Sequence, residues 1–336
     1  MRNGMRVIDI EHHFETKMIR EEYAKTPEGA ANLEAQKSQK GYDVFIELVE
    51  DLGEKRISEL DKAGVDYAHI SLTTPGTEYF PPEISKKIAA DYNDIAADAI
   101  KRYPDRFGAW MALAPEDPEW SVKEIERCVK MGLFGWSCLS NMQGKYIDDP
   151  KYCPILSKLE ELGQPMYIHP NFPTIKELNE FGYCTCGPNL GFLVDVQLCF
   201  QRMIYRGVFD KYPKLKVITG HDGEAMPFLR DRLDTAWRQG LGMPYANIGT
   251  TYDHPTSYYL DNNFYATTSG NFSTEALRCS VDSLPKGRVM LSTDFPYEDF
   301  KGSVDFIADN EKLTNDEKKD ILANNAMALG FGAFKN

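Results

Sequence analysis

Short apolar runs with the alternation of β-strands recur along the chain, and longer segments with the spacing of amphipathic helices lie between them. In the longer segments apolar residues return every three or four positions, so that one face of each helix is buried. The strand-like runs lie at residues 6–14, 66–73, 106–115, 134–142, 164–172, 215–224, 263–272 and 288–298. The helix-period segments lie at residues 44–64, 83–104, 118–132, 152–163, 194–213, 225–239, 273–284 and 314–330.

This alternation predicts a parallel α/β fold. Several of the helical segments end in Gly with the next strand a few residues on, as the helix-to-strand connections of a parallel sheet require. Eight strands and eight helices in 336 residues predict a (β/α)8 TIM barrel that forms one domain over residues 1–336. The rival is an open doubly wound sheet, but no glycine-rich phosphate loop follows the first strand. The longer connections 15–43 and 173–193 are predicted active-site loops.

Composition narrows the class of protein. A net charge of −13 without a Lys/Arg-rich run argues against nucleic-acid and anionic-membrane partners. No apolar stretch has the length of a membrane span, and the first residues lack the apolar core of a signal peptide. The seven cysteines are odd in number and scattered, which is typical of reduced thiols and predicts a cytoplasmic protein. Only Cys184 and Cys186 are close together, and two thiols alone are a weak metal signal.

The first strand, VIDIEHHF, ends in an acid and two histidines. Alternation puts Asp9, Glu11 and His13 on one face and His12 on the other, with Glu11 and His13 about 7 Å apart along the strand. A carboxylate and an imidazole so placed are able to share one divalent cation. The alternative is a polar strand end at the surface, and the first strand alone does not decide between them.

Three later strands also end in residues that bind metals or transfer protons. His169 follows the fifth strand, His221 and Glu224 the sixth, and Asp294 the eighth. Because chemistry in a barrel sits at the carboxyl ends of the strands, these residues predict one site. Glu11, His13, His169 and Asp294 would hold a single ion, and two carboxylates with two imidazoles suit Zn²⁺, Mn²⁺ or Fe²⁺. The fourth strand has no lysine to bridge a second ion.

The remaining candidates carry weaker signals. His12 points away from the barrel interior and is predicted to pack between strand and helix, while His69 is predicted to be structural and His254 to lie at the surface. Arg232, on the helix after the sixth strand, is placed to reach a substrate carboxylate with its planar guanidinium. The alternative is that Arg232 is an ordinary surface cation.

With these residues placed, the sequence resembles the metal-dependent decarboxylases of the amidohydrolase superfamily. This group includes γ-resorcylate, 2,3-dihydroxybenzoate and 5-carboxyvanillate decarboxylases and, more distantly, aminocarboxymuconate-semialdehyde decarboxylase. The resemblance runs from IEHHF near the start to NNAMALGF near the end. Its most specific pieces are YIHP, GVFDKYPKLKVITGHDGE, TTSGNF and STDFPYE, and DLGEKRISELDKAGVD and APEDPEW are most like the 5-carboxyvanillate enzyme.

The resemblance implies a set of roles for these residues. The metal ligands would be Glu11, His13, His169 and Asp294, with a catalytic His221 supported by Glu224. Asp294 would also donate the proton. Arg232 and Tyr297 would lie near the substrate, and the chain would form a homodimer or homotetramer whose active-site loops meet a neighbouring subunit.

Three positions depart from the pattern of the family. Asn171 stands where an Arg usually follows HP, and Cys199 where a His is often found. The Arg that a neighbouring subunit supplies in the 5-carboxyvanillate enzyme is missing near Gly41, with Lys40 the nearest cation. The metal and acid–base positions are intact while substrate-facing positions differ, so the resemblance implies the chemistry more firmly than the substrate.

The expected activity is non-oxidative decarboxylation of a hydroxylated aromatic acid, with one Zn²⁺ or Mn²⁺ ion as cofactor. Protonation of the ring carbon that carries the carboxylate would precede loss of CO2. Two alternatives remain open. One is a mononuclear metal-dependent hydrolase of a lactone or amide, in which Asp294 would activate a metal-bound water. The other is a non-catalytic barrel whose strand-end residues are structural.

Overall fold

Residues 2–240 and 252–332 are described by the computed structural model of the chain. They divide into two units, Met1–Phe134 with Met290–Asn336, and Gly135–Val289. No helix in these described residues has both the length and the apolar character needed to cross a membrane.

The strands pair in parallel and in chain order. In the described residues they are β1 (Ile8–Phe14), β2 (Tyr67–Leu72), β3 (Phe107–Ala109), β4 (Trp136–Leu139), β5 (Met166–His169), β6 (Val217–Thr219), β7 (Phe264–Thr267) and β8 (Val289–Met290). The first unit holds a sheet of order β1–β2–β3, and a second sheet has the order β4–β5–β6–β7–β8. The register pairs His13 with Ser71 in the first sheet and Leu139 with His169 in the second.

Helices separate successive strands. In the first unit they are Lys17–Ala24, Pro27–Lys37, Tyr42–Glu50, Glu54–Ala63, Pro82–Arg102, Pro118–Met131, Phe300–Ala308, Asn315–Lys319 and Asn325–Leu329, with a π-helix at Asp320–Asn324 and a 3₁₀ turn at Thr77–Tyr79. In the second unit they are Cys153–Glu161, Tyr183–Cys186, Gly191–Tyr205, Val208–Lys211, His221–Glu224, Met226–Leu233, Thr235–Gly240, Thr256–Asn262 and Thr274–Ser283, with 3₁₀ turns at Pro150–Tyr152 and Lys176–Asn179.

The strands are buried on both faces, as a parallel sheet covered by helices requires. Ile10 and Ile70 in the first unit and Ile168 and Ile218 in the second have no exposed surface. Parallel strands in chain order, separated by helices, confirm the predicted (β/α)8 fold class. That the two units make one domain over residues 1–336 stays a prediction.

The structure corrects several predicted boundaries. Each strand is shorter than the apolar run that predicted it, and every run after the first continues past the end of its strand. The predicted helix 44–64 is two helices, and Asp51 at the break accepts hydrogen bonds from the Gly53 and Arg56 amides at 3.1 and 2.7 Å. Phe300–Ala308 and Thr256–Asn262 are helices that the periodicity did not predict.

The predicted loop 15–43 was wrong, since it contains two helices. Thr16 accepts a hydrogen bond from the Ile19 amide, and Thr26, followed by Pro27, accepts one from the Gly29 amide. A threonine at the position before a helix and a proline at its first position are start signals that the sequence displays. The weak apolar periodicity of Pro27–Lys37 hid the second helix.

Candidate metal centre and catalytic residues

Three predicted ligands come together in the first unit. Glu11 and His13 lie on β1, and Asp294 follows β8 in the sequence. One ligand atom from each lies within 4.8 Å of the others, and Glu11 and His13 are each 1% exposed. Two atoms bound to one ion at about 2.1 Å are roughly 3–4 Å apart, so this donor set fits one divalent metal ion, Zn²⁺ or Mn²⁺.

Backbone pairing between β1 and the segment after β8 brings these ligands together. The His13 amide donates to the Phe295 carbonyl at 2.8 Å, and the Asp294 amide donates to the Glu11 carbonyl at 3.1 Å. Asp294 has φ 53°, in the left-handed region that side chains other than glycine rarely adopt. Strain of this kind is characteristic of functional positions, where the surrounding structure imposes it.

The imidazole of His13 is oriented from both sides. Its Nδ1 lies 3.1 Å from the Ser71 hydroxyl, and its Nε2 lies 2.8 Å from Asp294 Oδ1. Burial favours the neutral ring, but the hydrogen bond and charge of Asp294 and the charge of Glu11 raise the pKa of His13 above its ordinary value. In a metal-binding histidine one ring nitrogen is held by a hydrogen bond and the other faces the metal. His13 has this arrangement, with Nδ1 held by Ser71 and Nε2 facing the other predicted ligands.

Tyr297 borders this cluster. Its ring meets the His13 imidazole edge-on at 5.4 Å between centroids and lies 5.7 Å from the ring of Phe45. Its hydroxyl is hydrogen-bonded to Thr73, and the residue is 48% exposed. A half-exposed aromatic ring beside a metal ligand can contact a bound aromatic molecule, in keeping with the predicted place of Tyr297 near the substrate.

In the second unit, His169 ends β5. Its Nδ1 lies 2.8 Å from the Pro170 carbonyl oxygen, which only accepts hydrogen bonds, so Nδ1 carries the proton. The lone pair of the neutral ring is then on Nε2, the nitrogen that a metal would bind.

A buried acid that the sequence analysis missed supports the His169 loop. Asp195 has no exposed surface and accepts hydrogen bonds from the Ser140 hydroxyl, from Asn141 Nδ2 at 2.8 Å and from the Tyr146 hydroxyl at 2.9 Å. Ser140 in turn donates its amide to the His169 carbonyl at 2.8 Å. Asp195 lies in the apolar first half of the helix Gly191–Tyr205. An acid among apolar neighbours was the one sequence signal that could have pointed to it.

His221 and Glu224 also meet in the second unit. His221 Nδ1 lies 2.6 Å from Glu224 Oε1, and Glu224 is only 3% exposed. Gln197 donates its Nε2 to the Glu224 carbonyl at 2.6 Å, which fixes the backbone from the neighbouring helix. A buried carboxylate on Nδ1 leaves Nε2 as the nitrogen that can exchange a proton with a bound molecule.

The loop that carries this pair is strained. Five successive residues, His221 to Ala225, have φ between 52° and 79°, and only Gly223 among them is glycine. A Cβ at residue 223 would lie 3.0 Å from the Phe264 ring, so any larger residue would also be crowded there. Such backbone persists only where the surrounding structure imposes it, and here it turns His221 and Glu224 toward each other.

Asp222, inside this loop, is a buried acid of a different kind. It is 4% exposed, and burial raises the pKa of its carboxyl to about 8. In an unfolded chain the same carboxyl would release its proton near pH 4. Between these values the folded state binds more protons than the unfolded state, so this group lowers stability as the pH rises.

His12 and His69 are packed in the interior, as predicted, and His254 lies partly at the surface. His12 has no exposed surface and stacks on Phe295 at 4.5 Å. His69 places its Nε2 2.8 Å from the Phe134 carbonyl oxygen, and burial lowers its pKa to about 3. His254 is partly exposed and stacks on Tyr258 at 3.9 Å.

Arg232 is exposed on the helix Met226–Leu233, and its contact with a substrate stays a prediction. Of the two close cysteines, Cys184 is exposed and Cys186 is buried, so they lie in different surroundings.

The structure shows the surroundings of the three positions that depart from the family pattern. The Asn171 side chain donates from Nδ2 to the Asn141 carbonyl, in the loop after β4, at 3.0 Å, and its Oδ1 accepts from the neighbouring Phe172 amide at 2.9 Å. Gly41 has φ 93°, a conformation that would strain any other residue. Cys199 is fully buried, and burial raises the pKa of its thiol.

Comparison with known proteins identifies the family. A family model described as amidohydrolase matches residues 8–329. The chain belongs to the amidohydrolase family. Within it, γ-resorcylate decarboxylase of Polaromonas sp. is 30% identical over 295 residues, which are 83% of this chain and 87% of that protein. The γ-resorcylate decarboxylase of Rhizobium radiobacter is 32% identical over 270 residues, 76% of this chain and 80% of that protein.

A solved member of the family has the same fold. Manganese-bound 5-carboxyvanillate decarboxylase of Novosphingobium aromaticivorans, in complex with 4-hydroxy-3-methoxy-5-nitrobenzoic acid, is 31% identical. It superposes with a TM-score of 0.91 over 97% of this chain and 96% of that chain. The resemblance to metal-dependent decarboxylases is thereby confirmed, and the relatives support decarboxylation over hydrolysis.

Proposed function

We propose that this amidohydrolase is a metal-dependent carboxy-lyase that removes CO2 from a hydroxylated aromatic acid without oxidation. The observation that carries the proposal is the cluster of buried Glu11 and His13 with the partly exposed Asp294, in a chain whose similar proteins include aromatic-acid decarboxylases. The half-exposed Tyr297 ring beside His13 supports an aromatic substrate.

One divalent ion would be held by Glu11, His13 and Asp294, with Nε2 of His169 as the fourth ligand. The Nδ1 hydrogen bond of His169 to Pro170 supports this, because it assigns the lone pair to Nε2. Manganese is favoured over zinc by its presence in the solved 5-carboxyvanillate enzyme. When bound, the ion would supply positive charge to a substrate carboxylate and an adjacent hydroxyl.

The protein's own residues would move the proton. Asp294 is the proposed donor, and its proton would form the new C–H bond at the ring carbon that carries the carboxylate. That addition interrupts the aromatic ring, and the C–C bond to the carboxylate then breaks, releasing CO2 and returning its electron pair to the ring. His221, oriented by Glu224, would hold the substrate hydroxyl and control the protonation of Asp294.

Arg232 and Tyr297 are proposed to bind the substrate. Arg232 would pair with an anionic group of the substrate from the helix Met226–Leu233. Tyr297 would contact the ring. The fixed amide of Asn171 and the buried thiol of Cys199 replace residues that carry other functional groups in the family, so the ring substituents are expected to differ from those of the named relatives.

Substrate screening tests the reaction. We expect CO2 release from at least one hydroxybenzoate, and carboxylation of the corresponding phenol in bicarbonate, with Mn²⁺ or Zn²⁺ added to the metal-free protein. A parallel panel of lactones, esters and amides serves as the control. Hydrolysis of that panel without CO2 release from any hydroxybenzoate would overturn the proposal in favour of a hydrolase.

Asp294→Asn tests the proposed proton donor. The variant keeps the size and one metal-facing oxygen but removes the transferable proton, so decarboxylation should fall by about 10²–10⁴-fold. Metal content must be measured in the same sample. Near-normal activity with full metal would exclude Asp294 as the acid and make His221 the leading candidate.

We also infer a homodimer or homotetramer in the cytoplasm. The oligomer follows from the resemblance to the decarboxylases, and the seven free cysteines are typical of a reducing compartment. Light scattering on the purified protein tests the first inference, since a monomer at micromolar concentration would contradict it. Cell fractionation tests the second.

A further inference from the structure

We propose that Asp9 is a positioning residue that locks β1 to the segment after β8 and so sets the metal affinity of the Glu11–His13–Asp294 site. The proposal rests on the metal site of the proposed function, and it does not depend on the reaction. Asp9 lies on β1, has no exposed surface and is not one of the proposed ligands.

The carboxylate of Asp9 contacts both segments that carry ligands. Its Oδ1 accepts hydrogen bonds from the Glu11 amide at 3.1 Å and the Thr293 amide at 3.0 Å. Its Oδ2 lies 2.8 Å from His12 Nδ1 and accepts a hydrogen bond from the Thr293 hydroxyl. One side chain therefore joins two segments that are 284 residues apart in sequence.

These contacts fall beside every ligand of the first unit. Glu11 is itself a ligand, His12 lies between Glu11 and His13, and Thr293 precedes Asp294. Strict strand alternation would put Asp9 and His12 on opposite faces, but β1 has an irregular register between them and the two side chains meet. The predicted alternation of Asp9 with Glu11 and His13 is therefore broken here, and the irregularity serves this contact.

His12 in turn packs against Phe295, the residue after Asp294. The His12 ring stacks on Phe295 at 4.5 Å with an angle of 9° between the planes, and the Arg56 guanidinium lies 4.6 Å from the centre of the Phe295 ring. Arg56 also donates to the His13 carbonyl at 3.1 Å. The backbone on both sides of Asp294 is thus held, on one side by Thr293 and on the other by Phe295.

Stability alone does not explain an acid at this position. Removing a carboxylate from water is costly, and the charge of Glu11 close to it makes the ionised form less favourable still. An apolar side chain would avoid that cost but would leave the buried Glu11 and Thr293 amides without this acceptor. What only a carboxylate offers is two oxygens that accept several donors at once, and here those donors belong to the residues that fix the ligands.

The test compares Mn²⁺ binding by metal-free wild type, Asp9→Asn and a matched control. Asp9→Asn keeps the shape but removes the negative charge and turns one acceptor oxygen into a donor, so the Thr293 hydroxyl and His12 Nδ1 can no longer both donate to the side chain of residue 9. Glu124→Gln is the control, because Glu124 is a buried acid of the same unit that bonds to Asn93 and Arg127 instead of the ligand segments. Dissociation constants come from calorimetry, and denaturant unfolding of the metal-free proteins reports stability.

We expect Asp9→Asn to weaken Mn²⁺ binding by about 10–100-fold, the usual effect of losing a group that orients metal ligands. Glu124→Gln should leave the dissociation constant within about threefold of wild type even where it lowers stability. Wild-type affinity in Asp9→Asn, or an equal loss in both variants, would overturn the positioning role. If wild type does not bind Mn²⁺, the proposed metal site itself is wrong. If wild type binds Mn²⁺ but decarboxylates no substrate, only the proposed reaction is wrong.

If Asp9→Asn does not fold, Thr293→Val tests the positioning role instead. It removes one donor to Asp9 while keeping the shape of the side chain and the Thr293 amide. A loss of Mn²⁺ affinity greater than threefold, with the free energy of unfolding preserved, supports the proposal. Unchanged affinity in Thr293→Val would contradict it.

Discussion

Glu224→Gln is the sharpest test of the His221–Glu224 pair. The bond joins His221 Nδ1 to Glu224 Oε1 at 2.6 Å, and Glu224 is 3% exposed, so water screens the interaction little. Glutamine keeps the length of the side chain and an oxygen that can accept from Nδ1, but it removes the negative charge. The Gln197 hydrogen bond to the backbone of residue 224 is retained, because it does not involve the side chain.

The size of the effect follows from the loss of charge alone. A hydrogen bond to a charged group contributes about 1.5–3 kcal/mol and a neutral one about 0.5–1.5 kcal/mol. The difference of about 1–1.5 kcal/mol corresponds to a roughly tenfold fall in kcat. Glu224→Ala removes the partner altogether, and a loss of about 2–3 kcal/mol predicts a fall of roughly 30–150-fold.

The assay is steady-state decarboxylation of the substrate found by screening, with the metal content of each preparation measured in parallel. Glu161→Gln, an exposed acid of the same unit, is the matched control and should behave as wild type. Wild-type kcat in Glu224→Gln with full metal would refute the supporting role of Glu224. Loss of metal in that variant would show that Glu224 acts on the metal site instead.

Three further variants test other parts of the site. His169→Ala should lose most of the bound metal, and full occupancy would remove His169 from the ligands. Arg232→Ala should lower kcat/KM by about ten- to a hundredfold through a higher KM, with the melting temperature preserved because the side chain is exposed. Asp222→Asn should flatten the decline in the free energy of unfolding between pH 6 and 8 by up to about 1.4 kcal/mol per pH unit, since Asp222 titrates there. Denaturant unfolding at several pH values checks this, and an unchanged slope would contradict it.

The first strand illustrates how far local pattern leads. VIDIEHHF predicted a strand with Glu11 and His13 on one face, either able to share a cation or at a polar surface end, and both are buried in β1 with ligand atoms close together. The pattern worked because a strand repeats every two residues whatever surrounds it. It failed between Asp9 and His12, where the register is irregular for a reason that lies in a distant segment.

The helices of residues 15–43 failed for the opposite reason. Their start signals, Thr16 and Thr26, are local and visible, but Lys17–Ala24 is short and the apolar periodicity of Pro27–Lys37 is weak. Periodicity reports the burial of one face, and Pro27–Lys37 buries only Gly29 and Leu33. A helix that contributes little to the core leaves little trace in the hydrophobic pattern.

The sequence by itself determined the fold class and the residue types of the candidate site. The order of strands and helices restricts the fold to a parallel α/β arrangement, and in such an arrangement the polar residues after each strand gather at one edge. This rule identified the candidate residues, because each of them lies at the end of an apolar run that predicts a strand. They are Glu11, His13, His169, His221 and Asp294.

Tertiary structure alone decided what holds these residues in position. Asp9, Ser71 and Asp195 are short polar residues inside apolar segments, where nothing local distinguishes a structural hydrogen bond from a functional one. The left-handed backbone of Asp294 and of His221–Ala225 is likewise imposed by surrounding contacts, against the local preference of these residues. The physical reason is common to both: a hydrogen bond between segments that are distant in sequence leaves no periodic signal in either one.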